Sequence, residues 1–147
     1  MKTALNESGR HIFYSMCNWG REQSWEWAMD YANSWRNTGD ISNKWSSFLS
    51  ILDQQVRNNV TGYSGPGGWN DPDMLEVGNK GMTDNEYYSH FALWCLLKAP
   101  LLIGCDLTAM SDMTLEILGN EELIAINQDS LGKQGNRTKP QSGPGDH

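Results

Sequence analysis

Four aspartates, Asp40, Asp71, Asp73 and Asp106, each stand at the polar end of a short apolar stretch, and Arg36 lies four residues before Asp40. Paired carboxyl groups are the equipment of glycoside hydrolysis. One protonates the leaving oxygen, while the other attacks the anomeric carbon or activates water. Asp71 and Asp73 are two residues apart, flanked by Trp69, Asn70, Pro72 and Met74. An arginine beside such a carboxylate can hold a sugar hydroxyl or pair with the acid. Trp19 follows Cys17 and Asn18, and tryptophan offers a rigid apolar platform of the kind sugar rings stack on. For any single aspartate, a helix cap, a turn or a solvated position competes with this reading. Of the three histidines, His11 begins a strand, His90 falls within a helix and His147 is in the tail, so no Ser/His/Asp set can be assembled. Cys17, Cys95 and Cys105 match no metal-ligand spacing. Neither a metal nor another cofactor is expected.

The elements that must carry these groups follow from periodicity. Thr3 to Ser8 reads as the end of a helix that Gly9 stops. His11 to Cys17 is a nearly continuous apolar run, as expected of a strand buried on both faces. A helix is expected over Glu22 to Ser34, with Trp25, Ala28, Met29 and Ala32 on one face. Trp35 to Ile41 is short and ends at Asp40. Ser42 is positioned to cap a helix whose stripe is Trp45, Phe48, Leu49, Leu52 and Val56. The segment Tyr63 to Gly78 is dense in glycine and proline, and a strand is expected near Trp69 to Leu75. Thr83-Asp84-Asn85-Glu86 has capping-box spacing, opening a helix to about Lys98 with Cys95 on its apolar face. Leu101 to Asp106 reads as another buried strand, Ser111 to Leu118 as a short helix, and Glu121 to Asn127 as a further helical piece.

Strands that alternate with helices argue for an α/β protein with parallel strands and crossover helices. About four βα units can be counted. In a (β/α)8 barrel the strand ends share one rim, which is the catalytic face. A doubly wound open sheet fits the alternation too. It would want a Gly-rich phosphate turn after its first strand, and Cys17-Asn18-Trp19-Gly20 is not one.

Composition narrows the partners. The 147 residues carry a net charge of −7, which argues against nucleic acid, and no apolar run reaches the ~18 residues that a membrane span needs. Seven tryptophans is a high count for this length, and most are expected in the core. The triplets Asn6-Glu7-Ser8, Asn59-Val60-Thr61 and Asn136-Arg137-Thr138 have the form of N-glycosylation sequons and hint at secretion. Met1 to Arg10 has no apolar core of signal-peptide type, so a signal is not expected on this chain.

Ordered blocks now carry a family resemblance. They are Tyr14-Ser15-Met16-Cys17-Asn18-Trp19-Gly20, Asn33 to Ile41, Gly65 to Gly78, Ala99 to Leu107, and Ala125 to Gly132. Together they resemble the α-galactosidases (melibiases) of glycoside hydrolase family 27, of secreted fungal or plant-like type, over about Met1 to Gly135. The resemblance implies the C-terminal half of a (β/α)8 TIM barrel over residues 1–131. Residues 132–147 would be a polar tail beginning a C-terminal β-sandwich region, with Gln141 to His147 disordered. It implies retaining hydrolysis of terminal α-D-galactosyl residues by two aspartates, acting on small or oligosaccharide α-galactosides. By the same resemblance Asp40 matches the general acid/base, Arg36 the arginine beside it, Cys17 and Trp19 pocket-lining positions, and Met74 the pocket methionine. Asp71 and Asp73 then become rim and scaffold residues. Asn18 stands where many members have Glu, at the sugar 2-position.

The family's nucleophile lies in a Lys-Tyr-Asp-Asn-Cys type block, which these 147 residues do not contain. The expectation is therefore a chain that is inactive alone. The alternatives are a non-catalytic fragment or sugar-binding remnant, and a related α-N-acetylgalactosaminidase or β-L-arabinopyranosidase. A half barrel would expose two sheet edges, which favours self-association.

Overall fold

The computed structural model describes residues 1–138. Three strands, β1 (Ser15–Cys17), β2 (Ser34–Arg36) and β3 (Trp69–Asp71), form a parallel sheet in that order. The register sets Met16 beside Trp35 and Trp35 beside Asn70. Cys17, Arg36 and Asp71 therefore share one row at the C-terminal end of the sheet. Past that row Leu75 bridges Ile103 in parallel, with the Leu75 N–H donating to the Leu102 carbonyl at 2.8 Å and the Gly104 N–H to the Leu75 carbonyl at 3.1 Å.

Parallel neighbours need crossover connections. Helix α1 (Lys2–Asn6) precedes the sheet. Helix α2 (Trp45–Arg57) links β2 to β3, and α3 (Asp84–Leu96) links β3 to the Ile103 bridge. Helices α4 (Asp112–Leu118) and α5 (Glu121–Gln128) follow. Local chemistry sets their starts. Thr83 and Glu86 form the reciprocal capping box of α3. Ser111 accepts from the Thr114 N–H at 3.1 Å, and Asn120 accepts from the Leu123 N–H at 3.0 Å. The main core lies between α2, α3 and α4, around Phe48, Ile51, Leu75, Phe91, Trp94, Cys95 and Ile117. A smaller cluster of Trp25, Ala28, Trp35 and Val60 sits at the other side of β2. Trp35 and Trp94 are fully buried, as expected for most of the indoles.

Several expectations need correction. The run His11 to Cys17 is a strand only from Ser15, and Ile12 and Phe13 are exposed, Phe13 at 64%. No further strand pairs with β1 among the described residues, so its outer edge has no ladder partner. The buried strand expected over Leu101 to Asp106 reduces to the single bridge at Ile103, with Leu102 and Ile103 both about half exposed (53% and 47%). The helix expected over Glu22 to Ser34 is two 3₁₀ turns, Arg21–Glu26 and Ala28–Asp30, broken by left-handed backbone at Glu22 and Gln23. Its last residue already belongs to β2. The apolar spacing was real, since Trp25, Ala28 and Ala32 are buried, but Met29 is exposed. Ser42 does not cap α2. Its N–H donates to Ser47 Oγ, and the helix opens at Trp45. The inward face of α2 is Phe48, Ile51 and Gln55, rotated from the expected stripe, while Leu49 and Val56 are partly exposed. Gln55 turns inward because it pairs with buried Asn37, whose Nδ2 donates to Gln55 Oε1 at 3.2 Å. The expectation for Gln141 to His147 lies outside the described residues.

Candidate active site

The site is built on the loops that leave the common row of Cys17, Arg36 and Asp71. After β1 the chain turns sharply. Trp19 and Gly20 are both left-handed (φ 57° and 74°), and the Gly20 N–H donates to the Arg36 carbonyl at 3.1 Å. A Cβ on Gly20 would collide with the Asn37 carbonyl, so the β1 loop can lie this close to the β2 loop only with glycine there. The turn swings Trp19 outward, 47% exposed, with Nε1 donating to Asp40 Oδ1 at 3.0 Å. The Arg21 guanidinium lies over its ring at 5.2 Å.

Arg36 ends β2 and is mostly buried. Its Nη2 stands 3.0 Å from Asp40 Oδ1 and 2.9 Å from Asp73 Oδ2. Asp40 itself is three-quarters exposed. The hydrogen bond from Arg36, with that from Trp19, holds the Asp40 carboxyl below the usual carboxylate range.

Asp73 is the second anchor. It is buried with φ at 103°, in a region that side-chain-bearing residues rarely adopt. Four hydrogen bonds and one ion pair hold it there. Its N–H donates to Asp71 Oδ1 at 2.9 Å, and its carbonyl accepts from Trp94 Nε1 at 2.8 Å. Its carboxylate accepts from the N–H groups of Met74 and Ile41, both at 2.8 Å, and forms an ion pair with Arg36. Asp71, buried behind it, has its carboxyl pushed up by desolvation.

The structure thus brings together Trp19, Arg36 and Asp40, with Cys17 beside Arg36 in the sheet register. Met74 follows Asp73 and is 44% exposed. Asn18 is spent within its own turn. Its Oδ1 accepts from the Gly20 N–H at 3.2 Å and its Nδ2 donates to the Arg21 carbonyl at 3.0 Å. Asp106, grouped with the other aspartates by its place after an apolar run, does not join them. Its carboxylate accepts from the Thr108 N–H and hydroxyl and caps the turn Leu107–Ala109, and these bonds hold its pKa below the usual carboxylate range. The support from Trp94 was not legible in the sequence, because its only signal was a place on an apolar helix face. Among the described residues, no group of three or more His, Cys, Asp or Glu could hold a metal ion, and no helix is long and apolar enough to cross a membrane.

This arrangement suits proton transfer at a solvent-facing carboxyl. Asp40 Oδ1 is fixed by two donors, and its second oxygen takes part in no hydrogen bond among the described residues. The family profile described as Alpha galactosidase A (Melibiase_2) matches residues 1–129. Alpha-galactosidase 2 of Arabidopsis thaliana is 58% identical over 139 residues, covering 95% of this chain and 35% of that protein. Alpha-galactosidase of Cyamopsis tetragonoloba is also 58% identical, covering 95% and 33%. The alpha-galactosidase of Saccharomyces cerevisiae, solved with raffinose, superposes with a TM-score of 0.90 at 35% identity, covering 93% of this chain and 35% of that one. The chain spans about a third of the length of the curated relatives it matches.

Proposed function

The chain belongs to the Alpha galactosidase A (Melibiase_2) family, and from that premise we propose that it carries the acid/base half of a retaining α-galactosidase site. The observation that carries the reading is Asp40, exposed at the rim and fixed through one oxygen by Arg36 and Trp19.

In the first step a nucleophilic carboxylate bonds to the anomeric carbon, the bond from that carbon to the glycosidic oxygen breaks, and the protonated Asp40 carboxyl gives its proton to that oxygen, so that the aglycone leaves as an alcohol. In the second, ionised Asp40 takes a proton from the water that releases the sugar. The ionised form favoured by Arg36 and Trp19 suits the second step. The first step needs the proton retained, and a second carboxylate about 5–5.5 Å away would favour that by like-charge repulsion. Asp73 cannot serve as nucleophile, because both its oxygens are engaged by Arg36, Ile41 and Met74. Asp71 is buried behind it. The nucleophile is expected on the Lys-Tyr-Asp strand that these residues do not contain.

Under this reading β1, β2, β3 and the Ile103 bridge are strands of the C-terminal half of a (β/α)8 barrel spanning residues 1–131. The polar tail that starts at residue 132 is docked on this unit at its beginning, with Gln134 buried and the Gly135 N–H donating to the Leu96 carbonyl at 2.8 Å. Cys17, Trp19 and Met74 line the sugar pocket, with Asn18 setting the loop near the 2-position. The substrate is a terminal α-galactoside, oligosaccharides included, as supported by the raffinose bound to the yeast relative. The parent protein is exported. Exposed Ile12, Phe13, Leu102 and Ile103 flank the open edges and favour self-association of the isolated chain.

The test is hydrolysis of a chromogenic α-galactoside by the chain alone and after co-expression with a polypeptide supplying the Lys-Tyr-Asp strand. Turnover is expected only in the combination, and Asp40→Asn should lower it by about 10²–10⁴-fold. Turnover by the chain alone would overturn the need for a second part. Turnover of other glycosides but not of α-galactosides would overturn the sugar assignment.

A further inference from the structure

Two of the three sequons meet in the fold, away from Asp40. Thr61, the third residue of one, donates its hydroxyl to Oδ1 of Asn136, the first residue of the other, at 2.6 Å. Both Asn59 and Asn136 border a groove of about 600 Å³ between α2 and α3, floored by Leu49, Leu52, Val56 and Leu96. Leu49, Val56 and Leu96 are 38–45% exposed, and adjoining exposed apolar side chains of this kind mark surface that something covers.

Asn136 is exposed, on a backbone fixed from both sides. The Gly135 N–H donates to the Leu96 carbonyl at 2.8 Å, and Arg137 pairs with Asp53 at 3.2 Å. Its side-chain oxygen is engaged by Thr61, while glycosyl transfer uses the amide nitrogen, so the two roles do not compete. Thr138, the third position of this sequon, is exposed as well. The other two triplets are less suited. Asn59 is left-handed (φ 48°) and is followed by fully buried Val60 and by Thr61, whose hydroxyl is in use. Asn6 ends α1, which has no buried residue and does not line the groove between α2 and α3.

We propose that Asn136 is an N-linked glycan acceptor and that the attached glycan covers the apolar groove between α2 and α3. The assignment rests on the reading that the protein is exported. In the transfer, Asn136 Nδ2 bonds to the anomeric carbon of the first sugar of a polyprenyl-pyrophosphate-linked oligosaccharide. The bond from that carbon to the pyrophosphate breaks, the lipid pyrophosphate leaves with the electron pair, and the amide loses one proton. The Asn136 carbonyl survives and keeps its bond to Thr61.

The experiment secretes the chain from a eukaryotic cell behind a cleavable signal. Peptide mass spectrometry and binding of a hydrophobic dye are read before and after enzymatic glycan release. Asn136 should be occupied, and dye fluorescence should rise on release. Thr138→Ala, which leaves Asn136 and its bond to Thr61 in place, should lose the glycan and bind dye like the released protein. Unmodified Asn136 in the secreted wild type overturns the acceptor. Occupied Asn136 with unchanged dye binding overturns the covering role. Occupied Asn136 in this secreted chain, with the native protein found unglycosylated inside its own cell, overturns the export reading and with it the acceptor role in the native protein, whereas unmodified Asn136 in the secreted chain overturns the acceptor alone.

Discussion

The indole N–H of Trp94 donates to the backbone carbonyl of Asp73 at 2.8 Å. It joins the centre of the core to the one strongly left-handed aspartate of the candidate site. Asp73 in turn touches the backbone of Ile41, next to Asp40, and shares Arg36 Nη2 with Asp40. Core packing by α3 and the setting of Asp40 are thus mechanically continuous.

Trp94→Phe keeps most of the apolar contact and leaves the Asp73 carbonyl without its donor. A destabilisation of about 1–3 kcal/mol is expected from denaturant unfolding. The effect should exceed that of Trp69→Phe, since Trp69 is only half-buried.

Arg36→Gln should raise the Asp40 pKa, because the largest cause of its lowering is removed. Asp40's folded pKa lies below its unfolded value. Its contribution is therefore present above the unfolded pKa and is lost as pH falls through the folded one. Carboxyl NMR titration of the wild type and the variant checks the direction, and an unchanged or lowered value would contradict it.

His90 accepts from the Glu76 N–H at 3.0 Å and packs edge-on against Phe48 and Trp94. Burial lowers its pKa to about 4. The unfolded chain then binds more protons than the folded one between about pH 4 and 6.5, so this stabilisation is full above that window and declines as pH falls through it. Melting temperatures from pH 4 to 7 should flatten in His90→Phe, after allowance for its uniform loss of the Glu76 bond.

Gly20→Ala places a methyl group against the Asn37 carbonyl at a left-handed φ. A cost of roughly 1–3 kcal/mol is expected. The displaced loop should also carry Trp19 off Asp40, seen as a shifted indole N–H resonance.

Thr83→Ala removes the side-chain half of the α3 capping box, the hydroxyl that accepts from the Glu86 N–H, and leaves the backbone N–H of position 83 donating to Glu86. About 1 kcal/mol of stability should be lost in thermal or urea unfolding, with the site residues unperturbed.

Much of the architecture was legible because it rests on local chemistry. The capping box at Thr83, the cap at Ser111, and the extents of α3, α4 and α5 follow from side chains within a few positions of the backbone groups they satisfy. The parallel arrangement followed from alternation. The blocks around Trp19, Asp40 and Met74 carried the family resemblance. The failures lie where distant partners decide. Leu101 to Asp106 and His11 to Tyr14 have the composition of buried strands, but a strand needs neighbours on its edges, and the described residues supply one bridge to the first and no ladder partner to the second. Glu22 to Ser34 has helical spacing, but left-handed backbone at Glu22 and Gln23 breaks it into two 3₁₀ turns, which no periodicity reveals.

The sequence by itself determined the family, the residue types at the site and the order in which they meet the chain's turns. Only the tertiary structure decided the environment of each of the four aspartates: Asp40 exposed at the rim, Asp73 locked beneath it, Asp71 buried behind, and Asp106 capping its own turn. By residue type and spacing alone these are equivalent carboxyls after apolar runs, and only the family resemblance set Asp40 apart from Asp71 and Asp73. Their environments differ because desolvation and most of the partners come from segments far apart in the chain, Trp19 for Asp40 and Arg36, Trp94 and Ile41 for Asp73, which only the fold brings within 3 Å.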